Sequence, residues 1–276
     1  MTNTSPIGIF DSGYGGLTVM KEIVKELPDY DYLYLGDNAR APYGTRSFTT
    51  IYEYTLECVK YLFTQNCHLV ILACNTASAK ALRSIQQKDL PKIDPERRVL
   101  GVIRPTAEVI GRHSKTGHVG ILGTSGTVNS ESYVIEIKKQ FPGLHIYQEA
   151  CPMWVPLVEN REYDRPGADY FIKQHVNRIM TNSNEIDTLL LACTHYPLLI
   201  DKIRMHAPDH VAILSQGEIV AKSLADYLNR HPEIDEKCSK NGGRRFLTTD
   251  STEDFDTQGQ KFYGTELCSE FVHLQE

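Results

Sequence analysis

Apolar positions along the chain follow two alternating rhythms. Short β-branched or leucine-rich runs occur at Ile7 to Phe10, Tyr32 to Leu35, Leu69 to Leu72, Val99 to Ile103, Val119 to Leu122, Leu144 to Tyr147, Thr188 to Leu191, Val211 to Leu214 and Arg245 to Leu247. Runs this short, bounded by small or polar residues, predict strands. Between them the apolar positions fall at helical spacing. Leu17, Met20, Val24 and Leu27 predict a helix that Pro28 stops; Ile51, Thr55, Cys58 and Leu62 predict a second, and Ile172, Val176 and Ile179 another. Strands alternating with helices are the signature of a parallel-sheet α/β protein. The longest apolar runs, Leu69 to Cys74 and Leu189 to Cys193, fall far short of the roughly 20 residues that span a bilayer, so they predict buried strands.

The pattern repeats itself. Ile7-Gly8-Ile9-Phe10-Asp11-Ser12-Gly13 is echoed 112 residues later by Val119-Gly120-Ile121-Leu122-Gly123-Thr124-Ser125. Leu69-Val70-Ile71-Leu72-Ala73-Cys74-Asn75-Thr76 is echoed 119 residues later by Thr188-Leu189-Leu190-Leu191-Ala192-Cys193-Thr194-His195. A weaker echo links Val102-Ile103 and Pro105 with Ile213-Leu214 and Gly217. Three echoes in one order predict two similar parallel-sheet α/β domains related by a pseudo-twofold axis. Ligands of such sheets bind beyond the carboxyl ends of strands, which places the active site in the cleft between the halves. The expected first domain is discontinuous, residues 1–98 and 212–276, and the second spans residues 99–211.

Composition removes several alternatives. With 276 residues, 41% hydrophobic and 23% charged, the chain has the make-up of an ordinary globular protein. A net charge of -6 gives no general attraction to nucleic acid or to a membrane surface. The one basic cluster, Lys240 with Arg244 and Arg245, is expected to be a solvated loop. Seven cysteines at irregular spacing argue against a disulfide framework and, with no signal-peptide pattern in residues 1–6, favour a reducing, cytoplasmic setting. No zinc-type or redox Cys spacing occurs, so no metal is expected.

Candidate chemistry gathers at the strand ends. Cys74 and Cys193 each follow a buried strand and precede an expected helix start, with Thr76 and Thr194 as expected caps. Free amides at such a turn are expected to lower a thiol pKa and to bind carboxylates. Cys58, Cys67, Cys151, Cys238 and Cys268 lack that duplicated context and are expected to be small buried hydrophobes. Asp11-Ser12-Gly13-Tyr14-Gly15-Gly16 is a glycine-rich turn but not GxGxxG, so nucleotide binding is not supported. Gly123-Thr124-Ser125-Gly126-Thr127 is either an anion nest or a cap for a helix starting near Asn129. His195 and Asp11 stand where each could serve one thiol in proton transfer.

These loops resemble the glutamate racemase family, within the aspartate/glutamate racemase superfamily. Phe10-Asp11-Ser12-Gly13 with Gly15-Gly16, Pro42-Tyr43-Gly44, Ala73-Cys74-Asn75-Thr76-Ala77-Ser78, Gly123-Thr124 with Gly126-Thr127, Ala150-Cys151-Pro152 with Val155-Pro156-Leu157-Val158-Glu159, and Cys193-Thr194-His195-Tyr196-Pro197 match in order, over roughly residues 7 to 230. The resemblance implies interconversion of L- and D-glutamate without pyridoxal phosphate, nucleotide or metal, supplying D-glutamate for bacterial peptidoglycan, and is compatible with a homodimer. It implies Cys74 and Cys193 as the acid/base pair, assisted by Asp11 and His195 respectively, with Cys74 taking the proton from D-glutamate and Cys193 from L-glutamate. Ser12, Tyr43, Gly44, Asn75, Thr76, Thr124 and Thr194, with Asp11 and His195, are implied to hold substrate. Two segments depart from the family pattern, Arg104-Pro105-Thr106 and Ser215-Gln216-Gly217. The rival readings are a relative acting on aspartate or another small acid, with the same two thiols, and a non-catalytic protein of the gyrase-binding kind.

Overall fold

The computed structural model describes residues 5–274. Strand β1 (Ile7–Asp11) lies between β2 (Tyr32–Gly36) and β3 (Leu69–Leu72), with β4 (Arg98–Gly101) beyond β3. In a second sheet, β5 (His118–Gly123) lies between β6 (His145–Ala150) and β7 (Thr188–Ala192), with β8 (Ala212–Leu214) beyond β7. The order β2-β1-β3-β4 is therefore repeated as β6-β5-β7-β8, each strand having neighbours equivalent to those of its counterpart in the other sheet. Two further strands, β9 (Arg244–Thr248) and β10 (Ser269–Phe271), extend the first sheet beyond β2. All pairings are parallel.

Parallel strands need crossover helices, and these bury the sheet faces. Helix Leu17–Glu26 turns Leu17, Val19, Met20 and Ile23 inward, and helix Phe48–Thr64 buries Ile51, Thr55, Cys58, Val59, Leu62 and Phe63. Strands β1, β3 and β7 are buried along their whole length. Each fully buried Leu, Ile or Val is worth on the order of 1.5–3 kcal/mol, so the loops at their ends project from a rigid base.

The expected strands all form, with adjusted ends. The expected strand over Val99 to Ile103 stops at Gly101, because the chain turns at Val102 into helix Ile103–Ala107, where Thr106 Oγ1 donates to Val102 O at 3.0 Å. Pro105 is tolerated there because the first turn of a helix has no donor to lose. Since β4 pairs with β3 and β8 with β7, the chain changes sheets after Gly101 and Leu214 rather than at the expected 98/99 and 211/212 junctions. Of the cysteines expected to be buried hydrophobes, Cys268 is exposed and the other four are buried. The basic cluster is engaged, with Lys240 on Asp235, Arg245 on Glu270 and Arg244 on the carbonyls of Pro28 and Tyr30. Among the described residues no helix is long and apolar enough to cross a membrane, and no group of three His, Cys, Asp or Glu could hold a metal.

Candidate active site

Cys74 leaves β3 and begins helix Asn75–Lys80. The helix cap is the cysteine itself rather than Thr76, with Sγ accepting from Ala77 N at 3.5 Å. Its sulfur also lies 3.6 Å from Ser12 Oγ, across from the end of β1. The thiol is not acidified as the turn suggested: burial, and then the nearby Asp11 charge, push it up to about 12 against the opposing pull of the Ala77 amide and Ser12 hydroxyl. Desolvation of a fully enclosed sulfur outweighs one helix amide.

Cys193 leaves β7 in a different way. The residues after Thr194 form a 3₁₀ turn, Tyr196–Leu199, before helix Ile200–His206. Cys193 Sγ lies 3.9 Å from His195 Nδ1, and His195 Nε2 lies 3.1 Å from Glu159 Oε1. Burial disfavours the charged imidazole, but the Cys193 sulfur and the Glu159 carboxylate outweigh it and hold His195 well above the usual histidine range. Glu159 ends helix Trp154–Glu159, which is anchored by fully buried Trp154 packing edge-on against Tyr196, whose hydroxyl donates to Cys151 O at 3.1 Å. Glu159 lay inside a matched segment, yet one carboxylate at a helix end is no different in sequence from a solvated one.

Both sulfurs line one small cavity between the two sheets. Every residue expected to hold substrate except Asp11 lines it too, joined by Pro42, Val155 and Glu159. Asp11 sits behind the wall, fully buried, accepting from Gly13 N at 3.0 Å and from Thr194 Oγ1 at 3.4 Å. Burial raises its pKa, opposed by the nearby His195 and by the Gly13 and Gly16 amides. Thr194 Oγ1 therefore ties the second cysteine loop to the first half. Gly15 is required at this seam, because a Cβ there would fall 2.3 Å from Thr194 Oγ1 and 2.5 Å from His195 Nδ1.

The halves also meet on the other side of the cavity. Thr76 Oγ1 and Thr124 Oγ1 are 2.9 Å apart, and Gly126 N donates to Gly44 O at 2.8 Å. Thr124 caps helix Ser125–Asn129, so that helix starts at Ser125 and not near Asn129. Tyr43 lines the cavity, but its hydroxyl donates to buried Asp37. Asn75 likewise lines the cavity while its side-chain amide is held by Gln216 and Tyr133.

Two thiols on one cavity, each with a polar neighbour, are chemically able to take a proton at one face of a bound molecule and to return one at the other. The family model for Asp/Glu/Hydantoin racemases matches residues 7–224. A glutamate racemase from Persephonella marina is 39% identical over 271 residues, covering 98% of each chain. The chain belongs to the glutamate racemases. Among solved structures, the glutamate racemase isoform of Bacillus anthracis superposes with a TM-score of 0.88 at 34% identity, covering 98% of each chain. The glutamate racemase of Francisella tularensis, solved in complex with D-glutamate, gives 0.86 at 31% identity over 99% of this chain and 98% of that one. As a racemase of this family, the chain has two similar parallel sheets and one small cavity lined from both of them.

Proposed function

We propose that this racemase interconverts L- and D-glutamate by passing the α-proton between Cys74 and Cys193. The observation that carries the reading is that both duplicated cysteine loops end on the same cavity wall pair, with Ser12 beside one sulfur and His195 beside the other. Each lobe of the proposed enzyme is one sheet with its helices, and the chain crosses after β4 and after β8. A protonated His195, backed by Glu159, is both a proton donor and a counter-charge for the Cys193 sulfur. Cys74, pushed up by burial, rests as a thiol ready to give a proton, which suits turnover starting from L-glutamate. In the reverse direction the ammonium of D-glutamate offsets the cost of ionising Cys74.

Ser12, Gly44, Asn75, Thr76, Thr124 and Thr194 offer hydroxyls, amides and carbonyls to the two carboxylates and the ammonium. For Tyr43, with its hydroxyl committed to Asp37, the ring and backbone remain. The cavity is small, and in this reading the halves part at the Thr76–Thr124 and Gly126–Gly44 contacts to admit glutamate. The same reading takes D-glutamate to peptidoglycan and the enzyme to the cytoplasm, needs no cofactor, and is compatible with a homodimer.

The test is optical rotation of L-glutamate and of L-aspartate with purified, extensively dialysed protein. Glutamate is expected to decay to an equal mixture of enantiomers, because the two have equal energy in solution. Faster racemisation of aspartate would overturn the substrate assignment.

A further inference from the structure

Gln216 stands where the chain returns from the second sheet to the first, between β8 and helix Gly217–Arg230, and is only 4% exposed. Its Oε1 accepts from Asn75 Nδ2 at 2.7 Å, and its Nε2 donates to Tyr133 OH at 2.5 Å. Tyr133 OH donates in turn to Asn75 Oδ1 at 2.6 Å. The three side chains form a closed ring of hydrogen bonds, so turning over either amide alone would break the ring. Gln216 Nε2 also meets Thr106 Oγ1 at 2.9 Å and Val102 O at 3.3 Å.

Val102 and Thr106 lie on the outward crossing after β4, and Gln216 lies on the returning crossing after β8. The two segments that depart from the family pattern, around Thr106 and around Gln216, thus meet in one hydrogen bond. Gly217, next along, approaches helix Leu17–Glu26 closely, since a Cβ there would fall 2.8 Å from Glu22 Cγ. The ring ends on Asn75, the first residue of the helix that Cys74 caps. Among the described residues no hydrogen bond joins it to Cys193, Thr194 or His195.

We propose that Gln216, braced by Thr106, is a positioning residue for the Cys74 half of the reaction: it ties both crossings to Asn75 and so sets the Cys74 loop against the opposite half. The proposal rests on the two-thiol reading. Replacing Gln216 by methionine keeps the length of the side chain and removes its donors and acceptor. Asn75 Nδ2 then loses its partner in a buried setting, and the Cys74 loop is free to shift.

The test separates the two thiols with the enantiomers of 3-chloroglutamate. In this reaction a thiolate takes the α-proton, the C–H electrons form the Cα–Cβ double bond and chloride leaves with the C–Cl pair, so one base suffices. Cys74→Ser and Cys193→Ser first establish which enantiomer each thiol serves. Gln216→Met is then expected to slow chloride release from the Cys74 enantiomer about tenfold more than from the other, the scale of one orphaned buried amide. Thr106→Val is expected to shift the same ratio in the same direction by less, and it carries the test if Gln216→Met fails to fold. If the serine variants do not divide the two enantiomers, the two-thiol reading fails and this proposal with it. If they do divide them and neither Gln216→Met nor Thr106→Val changes the ratio, the Gln216 assignment alone is wrong.

Discussion

Cys74→Ser is expected to lower glutamate racemisation in both directions by on the order of 10⁴-fold, near the upper end of what one positioned acid or base contributes. Both directions fail because each turnover uses one thiol to take the proton and the other to give it. A serine hydroxyl fits the space beside Ser12 and the Ala77 amide, so the fold should survive, and an unchanged unfolding midpoint checks this. What distinguishes the two thiols is the half-reaction that remains. Cys74→Ser should still eliminate chloride from L-3-chloroglutamate, which needs only Cys193, and Cys193→Ser should show the mirror preference. A serine variant that racemises glutamate near the wild-type rate would remove its cysteine from the mechanism.

The second large effect is expected at the groups behind the thiols. His195→Asn removes the ring that links Cys193 to Glu159. Asp11→Asn removes a buried charge that touches Thr194 and raises the Cys74 thiol. Loss of proton-transfer assistance is expected to lower kcat by about 10² to 10⁴ while KM changes far less. For His195 the wild-type group is charged below its raised pKa, so the assistance it gives is present through neutral pH and lost as pH rises through that value. Steady-state kinetics in both directions are the check. Variants with normal kcat and a raised KM would mean that these residues only hold substrate.

The fold was legible because its signals are local. Continuous apolar runs such as Leu69 to Leu72 become fully buried strands, and the echo of Ala73-Cys74 in Ala192-Cys193 reappears as the same strand order in two sheets. Strand β10 was not legible, since Ser269–Phe271 is a three-residue edge strand with two exposed positions and no periodicity to read. The residues that line the cavity were legible from their loops, but the contacts among them were not. Which hydroxyl faces which sulfur, and that Glu159 backs His195, depend on contacts between segments far apart in sequence. The acidity of Cys74 was misjudged for the same reason: a helix start is written in the local sequence, whereas enclosure of the sulfur by both halves is not. Cys193, expected at a similar helix start, instead leads into a 3₁₀ turn in which Tyr196 and Leu199 are buried.

The central claim, that two thiols act on opposite faces, is tested most directly by one turnover in deuterated water. Each glutamate enantiomer is incubated with enzyme to low conversion, and deuterium at the α-carbon is measured separately in product and in recovered substrate. Two fixed thiols predict product carrying solvent deuterium and recovered substrate carrying almost none, from either enantiomer, because the delivering sulfur has exchanged while the abstracting sulfur holds the substrate's own hydrogen. Product that retains the original hydrogen, or recovered substrate labelled as heavily as product, would show a single base serving both faces and would contradict the account.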